Sequence, residues 1–365
     1  MKKRIFVFSL ISLLASTCFT TLFPASVFAA ENQSYESYAL SVLEVLSPDE
    51  SFTVTDKEPI YDLDDNLYGF KVNFRNTETQ VPGYINLSAE GNIHEYSFAA
   101  EETVFGSTTD RIYYDGSISY FFRKGADAYF SASDGRKFTR SQLGNRSVTG
   151  HGGGYNATGQ VIYNPRSFVT NFVNDEGRIE IDGFHLPSQY LIMDTYASQL
   201  GYREHCGLTA IMNLLLYWDN NGYPNLLTSA SPYLAEIQSI ESQIGHYNLS
   251  YASVRNGLET FMKQKYPDSF NYFNDLWITH SDIKSRVLEG DPFIYLVNGN
   301  SHYGNHFVVG LGYQILECWY KNIFGVTCYE DVMFILIADG HSALPNRYIC
   351  FNDASLRIMV VAQEK

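Results

Sequence analysis

Cysteine is scarce in this chain. Five occur among 365 residues, and no two are close enough in sequence to form a Cys-x-x-Cys pair. So few in so long a chain exclude a disulfide scaffold, and the wide spacing argues against a zinc site. Basic residues are also in short supply, with Lys and Arg totalling 25 against 40 Asp and Glu. That balance argues against nucleic acid or an anionic membrane surface as partner. Beyond the first 30 residues no apolar run reaches the roughly 18 residues that a membrane span needs.

What is present begins with a leader pattern. Lys2, Lys3 and Arg4 precede an apolar stretch from Ile5 to about Phe23, followed by Pro24 and the small-residue end Val27-Phe28-Ala29-Ala30. This reads as a signal peptide over residues 1–30, cut after Ala29 or Ala30, and it implies a secreted, extracellular protein. A membrane anchor is the competing reading, but Glu31, Asn32 and Gln33 follow where a basic stop-transfer cluster would stand. A lipidated Cys18 is a poor fit, because the apolar run continues past it. Cleavage would leave about 335 residues, room for two domains. It would also remove three basic residues and take the formal charge from −15 to near −18. Tyr (28) and Phe (25) are abundant, which suits a β-rich extracellular chain.

Periodicity divides the remainder. Tyr38, Val42, Val45 and Leu46 recur at helical spacing after Ser34. Strand-like runs follow at Ser51–Thr55, Tyr68–Phe74, Gly83–Leu87 and His94–Phe98, with turn chemistry at 62–66 and 89–92. More strands are expected at Ile112–Tyr114 and Ile118–Phe122. Residues 31–149 therefore read as a small α+β domain. The stretch Gly150-His151-Gly152-Gly153-Gly154, with four glycines in five positions, cannot hold a helix or a central strand, so 150–182 reads as a linker. Beyond it, residues 183–365 open with a helix at Gly207–Trp218 that is apolar all round and hence buried. Helices at Tyr233–Gln243 and Tyr251–Lys265 follow, then a short one capped by Ser281 and ending at Gly290. Strands are expected at Phe293–Val297, His306–Cys318, Asp331–Ala338, Arg347–Phe351 and Arg357–Val361. Helices first and an antiparallel sheet afterwards make an α+β domain.

Three residues could carry chemistry. Cys206 stands immediately ahead of the buried helix, where the helix dipole and free backbone N–H groups favour a thiolate and could hold an oxyanion. An inert buried Cys is the bland alternative. His306 opens a strand about 100 residues later and is a candidate base. Asp339 closes the apolar strand Val332–Ala338 and could orient that imidazole, or could simply cap the turn at Gly340.

Together these places resemble the bacterial branch of the papain-like peptidases, close to streptopain. The matching pieces are Cys206-Gly207-Leu208-Thr209-Ala210 leading into Asn213–Trp218, the His306–Tyr313 strand, and Ala338-Asp339-Gly340 with Arg347-Tyr348-Ile349. The resemblance spans roughly Gly183 to Val361. It implies a papain-like fold, a central buried helix packed on an antiparallel sheet, with Cys206 as nucleophile, His306 as base and Asp339 as orienter. Gln199 is the candidate for the oxyanion-hole amide, although it lies seven residues before the Cys where six is usual. Segments 59–66, 68–74 and 83–91 resemble the inhibitory propeptide of streptopain-type zymogens, with an accessory β-domain as the alternative. Cys318 and Cys328 flank an expected hairpin and could be bridged or packed in the core.

The expectation is a secreted cysteine endopeptidase made as a zymogen, acting on protein or peptide substrates. No cofactor, metal, nucleic acid or, after leader cleavage, membrane is implied. The sequence sets no oligomeric state. Two other classes stay open: a catalytically silent binding protein on the same scaffold, and a Cys-dependent acyl transferase or leader-processing enzyme.

Overall fold

A computed structural model describes residues 34–89, 91, 93–99, 111–114, 120–125, 128–131, 137–140, 174–178, 191, 205–246, 249–300, 304–321, 327–340, 347–351 and 357–365. The leader and Gln199 lie outside the described residues.

The first helix, α1 (Tyr35–Leu46), starts where Ser34 accepts a hydrogen bond from the Ser37 backbone N–H, an N-cap that satisfies one orphan donor. It buries Tyr38, Val42 and Leu46, residues four apart that share one face. A meander follows: β1 (Phe52–Tyr61), β2 (Leu67–Asn76), β3 (Pro82–Ser88) and β4 (Ile93–Ser97). The β1–β2 turn is tied by the Asp62 carboxylate, which accepts from the backbone of Asp64 and Asn66. Short strands β5 (Ile112–Tyr114), β6 (Tyr120–Arg123), β7 (Tyr129–Ser131) and β8 (Lys137–Phe138) extend it, β5 pairing parallel to β1.

The remaining strands are β9 (Asn174–Arg178), β10 (Phe270–Leu276), β11 (Phe293–Asn300), β12 (Gly304–Lys321), β13 (Thr327–Ala338), β14 (Arg347–Cys350) and β15 (Arg357–Glu364). The further helices among the described residues are α2 (Cys206–Asn220), α3 (Leu234–Ile244), α4 (Tyr251–Lys265) and α5 (His280–Glu289). Among the described residues the strands form one sheet in the order β10-β15-β11-β12-β13-β14-β4-β3-β2-β1-β5-β6-β7-β8, with β9 paired to β12. Among the described residues the protein is thus mixed α+β, with a large, mostly antiparallel sheet and five helices. Residues Ser34–Lys365 cluster as one compact unit.

Strand β13 shows how the sheet is held. Met333, Ile335 and Ile337 point into a core shared with α2, α3, α4 and α5, whereas Val332, Phe334 and Leu336 point into a second core with α1, β2, β3 and β4. Period-2 alternation splits one continuous apolar run between two cores, which is why the run contains no polar position. Each such side chain contributes roughly 1.5–3 kcal/mol by burial. The join between the two halves is the β14–β4 ladder, where Arg347, Tyr348 and Ile349 face Ser97, Tyr96 and Glu95. Tyr96 stacks on Tyr348 with ring centroids 4.8 Å apart and planes 8° from parallel.

Some local expectations need amendment. The N-cap of α5 is Thr279, not Ser281. Its side chain and that of Asp282 form a capping box, with the Asp282 carboxylate 2.7 Å from the Thr279 backbone nitrogen. Strand β9 falls inside the stretch read as linker, pairing residues 174–178 with 312–316 of β12. Strand β10, an edge strand on β15, was not expected.

Candidate active site

Cys206 is the first residue of α2 and is half-buried at the rim of the larger core. The helix buries twelve of its fifteen residues, so its axis is held by packing on every side. The residue before it, His205, has an extended-to-bridge backbone (φ −118°, ψ 15°) and supplies no side-chain cap. Its carbonyl accepts the first helical bond, from Thr209 N–H at 2.8 Å. The positive end of the helix therefore faces the thiol.

Gly207 explains how closely this helix start sits against its neighbours. A Cβ at that position would lie 2.9 Å from Leu249 Cδ1, 3.2 Å from Val254 Cγ2 and 3.4 Å from Phe307 Cδ2. Only glycine allows such an approach without displacing Leu249. Phe307 directly follows His306, so the start of α2 and the His306 end of the β12 core segment are neighbours in space.

His306 is fully buried, and β12 pairs it with Val297 of β11. Its Nε2 is 2.9 Å from the main-chain oxygen of Asp339. A carbonyl oxygen can only accept, so Nε2 carries a proton.

Asp339 follows the last residue of β13 and is buried. Its contact to His306 is made by the main chain. The carboxylate is engaged elsewhere, its Oδ2 lying 2.6 Å from an Arg347 guanidinium nitrogen. Gly340 then turns the chain at φ +75°, a left-handed conformation natural to glycine. The expected pairing of the Asp339 carboxylate with His306 is thus replaced by a pairing with Arg347, and the main-chain oxygen makes the contact to the imidazole. Arg347 emerges as the residue that neutralises the carboxylate, a role that sequence alone did not single out.

Asn213, on a buried turn of α2, receives the Leu191 N–H at 2.7 Å and donates to the Leu191 carbonyl at 3.0 Å. This two-bond clamp fixes residue 191 against the helix that carries Cys206. The β12–β13 register sets Cys318 opposite Glu330 and Cys328 opposite Tyr320, so the two cysteines are not register partners. Among the described residues no group of three or more His, Cys, Asp or Glu is placed to hold a metal, and no helix is long and apolar enough to cross a membrane. Comparison with family models, with curated proteins and with solved structures found no match to this chain.

Proposed function

We propose that this chain is an exported cysteine endopeptidase of papain-like type, with residues 31–149 standing as a propeptide-like domain before the catalytic residues. The observation that carries the reading is the meeting of two elements. A helix N-terminus bears Cys206, the Phe307 ring lies against Gly207 of that helix start, and the adjoining His306 is a buried imidazole whose Nε2 proton is held by the Asp339 carbonyl. In this reading Nδ1 of His306 takes the Cys206 proton, and the thiolate attacks a peptide carbonyl. Backbone N–H groups at the start of α2 stabilise the oxyanion, with Gln199 as the side-chain donor. The imidazolium then protonates the leaving amine. Water, deprotonated by His306, releases the acyl group from sulfur.

The test is cleavage of casein by the secreted protein, with Cys206→Ser and His306→Ala as controls. Cleavage that both substitutions abolish supports the reading; cleavage that survives Cys206→Ser overturns it. A second reading, a catalytically silent binding protein on this scaffold, draws on the complete burial of His306. It is favoured if wild type cleaves nothing and a thiol-directed epoxide leaves Cys206 unmodified.

A further inference from the structure

The polar face of the β2–β3–β4 meander holds three chemically complementary side chains in consecutive strands. The ladders pair Lys71 with Asn86 and Asn86 with Glu95, so all three lie side by side on one face. All are buried, with relative exposures of 5 % for Lys71 and 0 % for both Asn86 and Glu95. We propose that Lys71 and Asn86 are joined by an intramolecular isopeptide bond, with Glu95 as the proton-transfer group.

The register and the surroundings of the three side chains suit that step. Directly opposed residues on antiparallel strands have Cβ atoms about 4.5–5.5 Å apart, within reach of a lysine side chain. Lys71 Nζ lies 3.7 Å from Glu58 Oε2 and 5.3 Å from the Tyr84 ring centroid. Burial lowers its pKa to about 8 against the opposing pull of Glu58, so a fraction of the amine is neutral and nucleophilic near neutral pH. The Asn86 amide nitrogen donates to the Tyr120 hydroxyl, and Tyr120 in turn donates to Glu95 Oε1. Tyr84 donates to the same carboxylate oxygen at 2.8 Å. The leaving nitrogen is thus wired through Tyr120 to Glu95. Asn86 Oδ1 is buried with no hydrogen-bond partner among the described residues, so no other donor holds that carbonyl.

The chemistry balances without a cofactor. The Nζ lone pair attacks Asn86 Cγ while the carbonyl π pair moves to Oδ1. Glu95 takes the proton from Nζ, and Tyr120 relays it to Nδ2. Collapse of the tetrahedral centre breaks Cγ–Nδ2 and releases ammonia, leaving an Nζ–Cγ amide. The fixed strand register supplies the proximity that makes an otherwise slow amide exchange feasible. The bond would fasten β2 to β3, and it is independent of any chemistry at Cys206.

Intact mass spectrometry of the denatured full chain, followed by peptide mapping, tests this directly. The expected result is a mass lower than the sequence requires by one ammonia, with one branched peptide containing both Lys71 and Asn86. Glu95→Gln and Lys71→Arg should each restore the full mass. A wild-type protein in which Lys71 and Asn86 appear in separate, unmodified peptides overturns the proposal, and this readout does not depend on whether either variant folds. Loss of ammonia mapped to any other residue overturns it equally.

Discussion

His306 and Asp339 are linked through a main-chain oxygen, with Nε2 of the imidazole 2.9 Å from the Asp339 carbonyl. The Asp339 carboxylate points instead to Arg347, at 2.6 Å. The Asp339 main chain therefore meets the imidazole while its carboxylate pairs with Arg347. Asp339→Asn should leave the reactivity of Cys206 within about tenfold of wild type, since the carbonyl is retained, a change of about 1.4 kcal/mol or less. Arg347→Met strands a buried carboxylate and should cost about 3–5 kcal/mol of stability, read from urea denaturation. If Asp339→Asn abolishes reactivity while the protein stays folded, the carboxylate is the orienter after all.

Two glycines make a graded pair. A Cβ at Gly310 would lie 2.4 Å from two atoms of the Phe293 ring, while at Gly207 the nearest contact is the movable end of Leu249, at 2.9 Å. Gly207→Ala should cost about 1–3 kcal/mol, typical of overpacking, and Gly310→Ala should cost more. Thermal melts of the two variants check the order, and a reversal would mean that the Phe293 ring can move aside more easily than Leu249.

Glu236 in α3 offers a test by pH. Burial works against its charge, but hydrogen bonds from the Ser229 hydroxyl and from the Ser229 and Thr228 backbone outweigh that and hold its pKa at about 2. The folded pKa lies below the unfolded value of 4.5, so the folded state binds fewer protons. The stabilisation is complete above the unfolded value and disappears as pH falls towards about 2. Glu236→Gln should accordingly lower the urea midpoint at neutral pH and flatten its fall in acid. An unchanged acid limb would show that Glu236 does not anchor the Thr228–Ser229 loop.

Residues of the N-terminal meander share one core with β12, β13 and β14. Gln314 Nε2 donates to the Leu46 carbonyl at 2.8 Å, and β4 pairs with β14. A protease site inserted between Gly152 and Gly153 should therefore yield, after cutting, two pieces that co-elute on size exclusion. Elution of the N-terminal piece alone would show that these contacts do not hold it.

The elements that could be read in advance are those whose pattern is set by a single environment. Helix α2 is apolar on every side, and β13 is apolar on both faces, so each announces itself. Strand β10 did not, because Asn271, Asn274 and Asp275 interrupt its alternation at a sheet edge. Cys206 stands first in its helix, as expected from the sequence, whereas His306 is the third residue of β12, which begins at Gly304 rather than at the histidine. Which atom of Asp339 would face the imidazole was not legible, since a sequence names a residue and not the direction of its side chain. Lys71, Asn86 and Glu95 lie in three separate segments, and only the ladder register brings them onto one face.

The most direct test of the central claim is the pH dependence of Cys206 alkylation by iodoacetamide, in wild type and in His306→Ala. The account predicts labelling of Cys206 well below the ordinary thiol pKa of about 8.5, and a shift towards that value when the imidazole is removed. A Cys206 rate that follows an ordinary thiol titration in both proteins would contradict it.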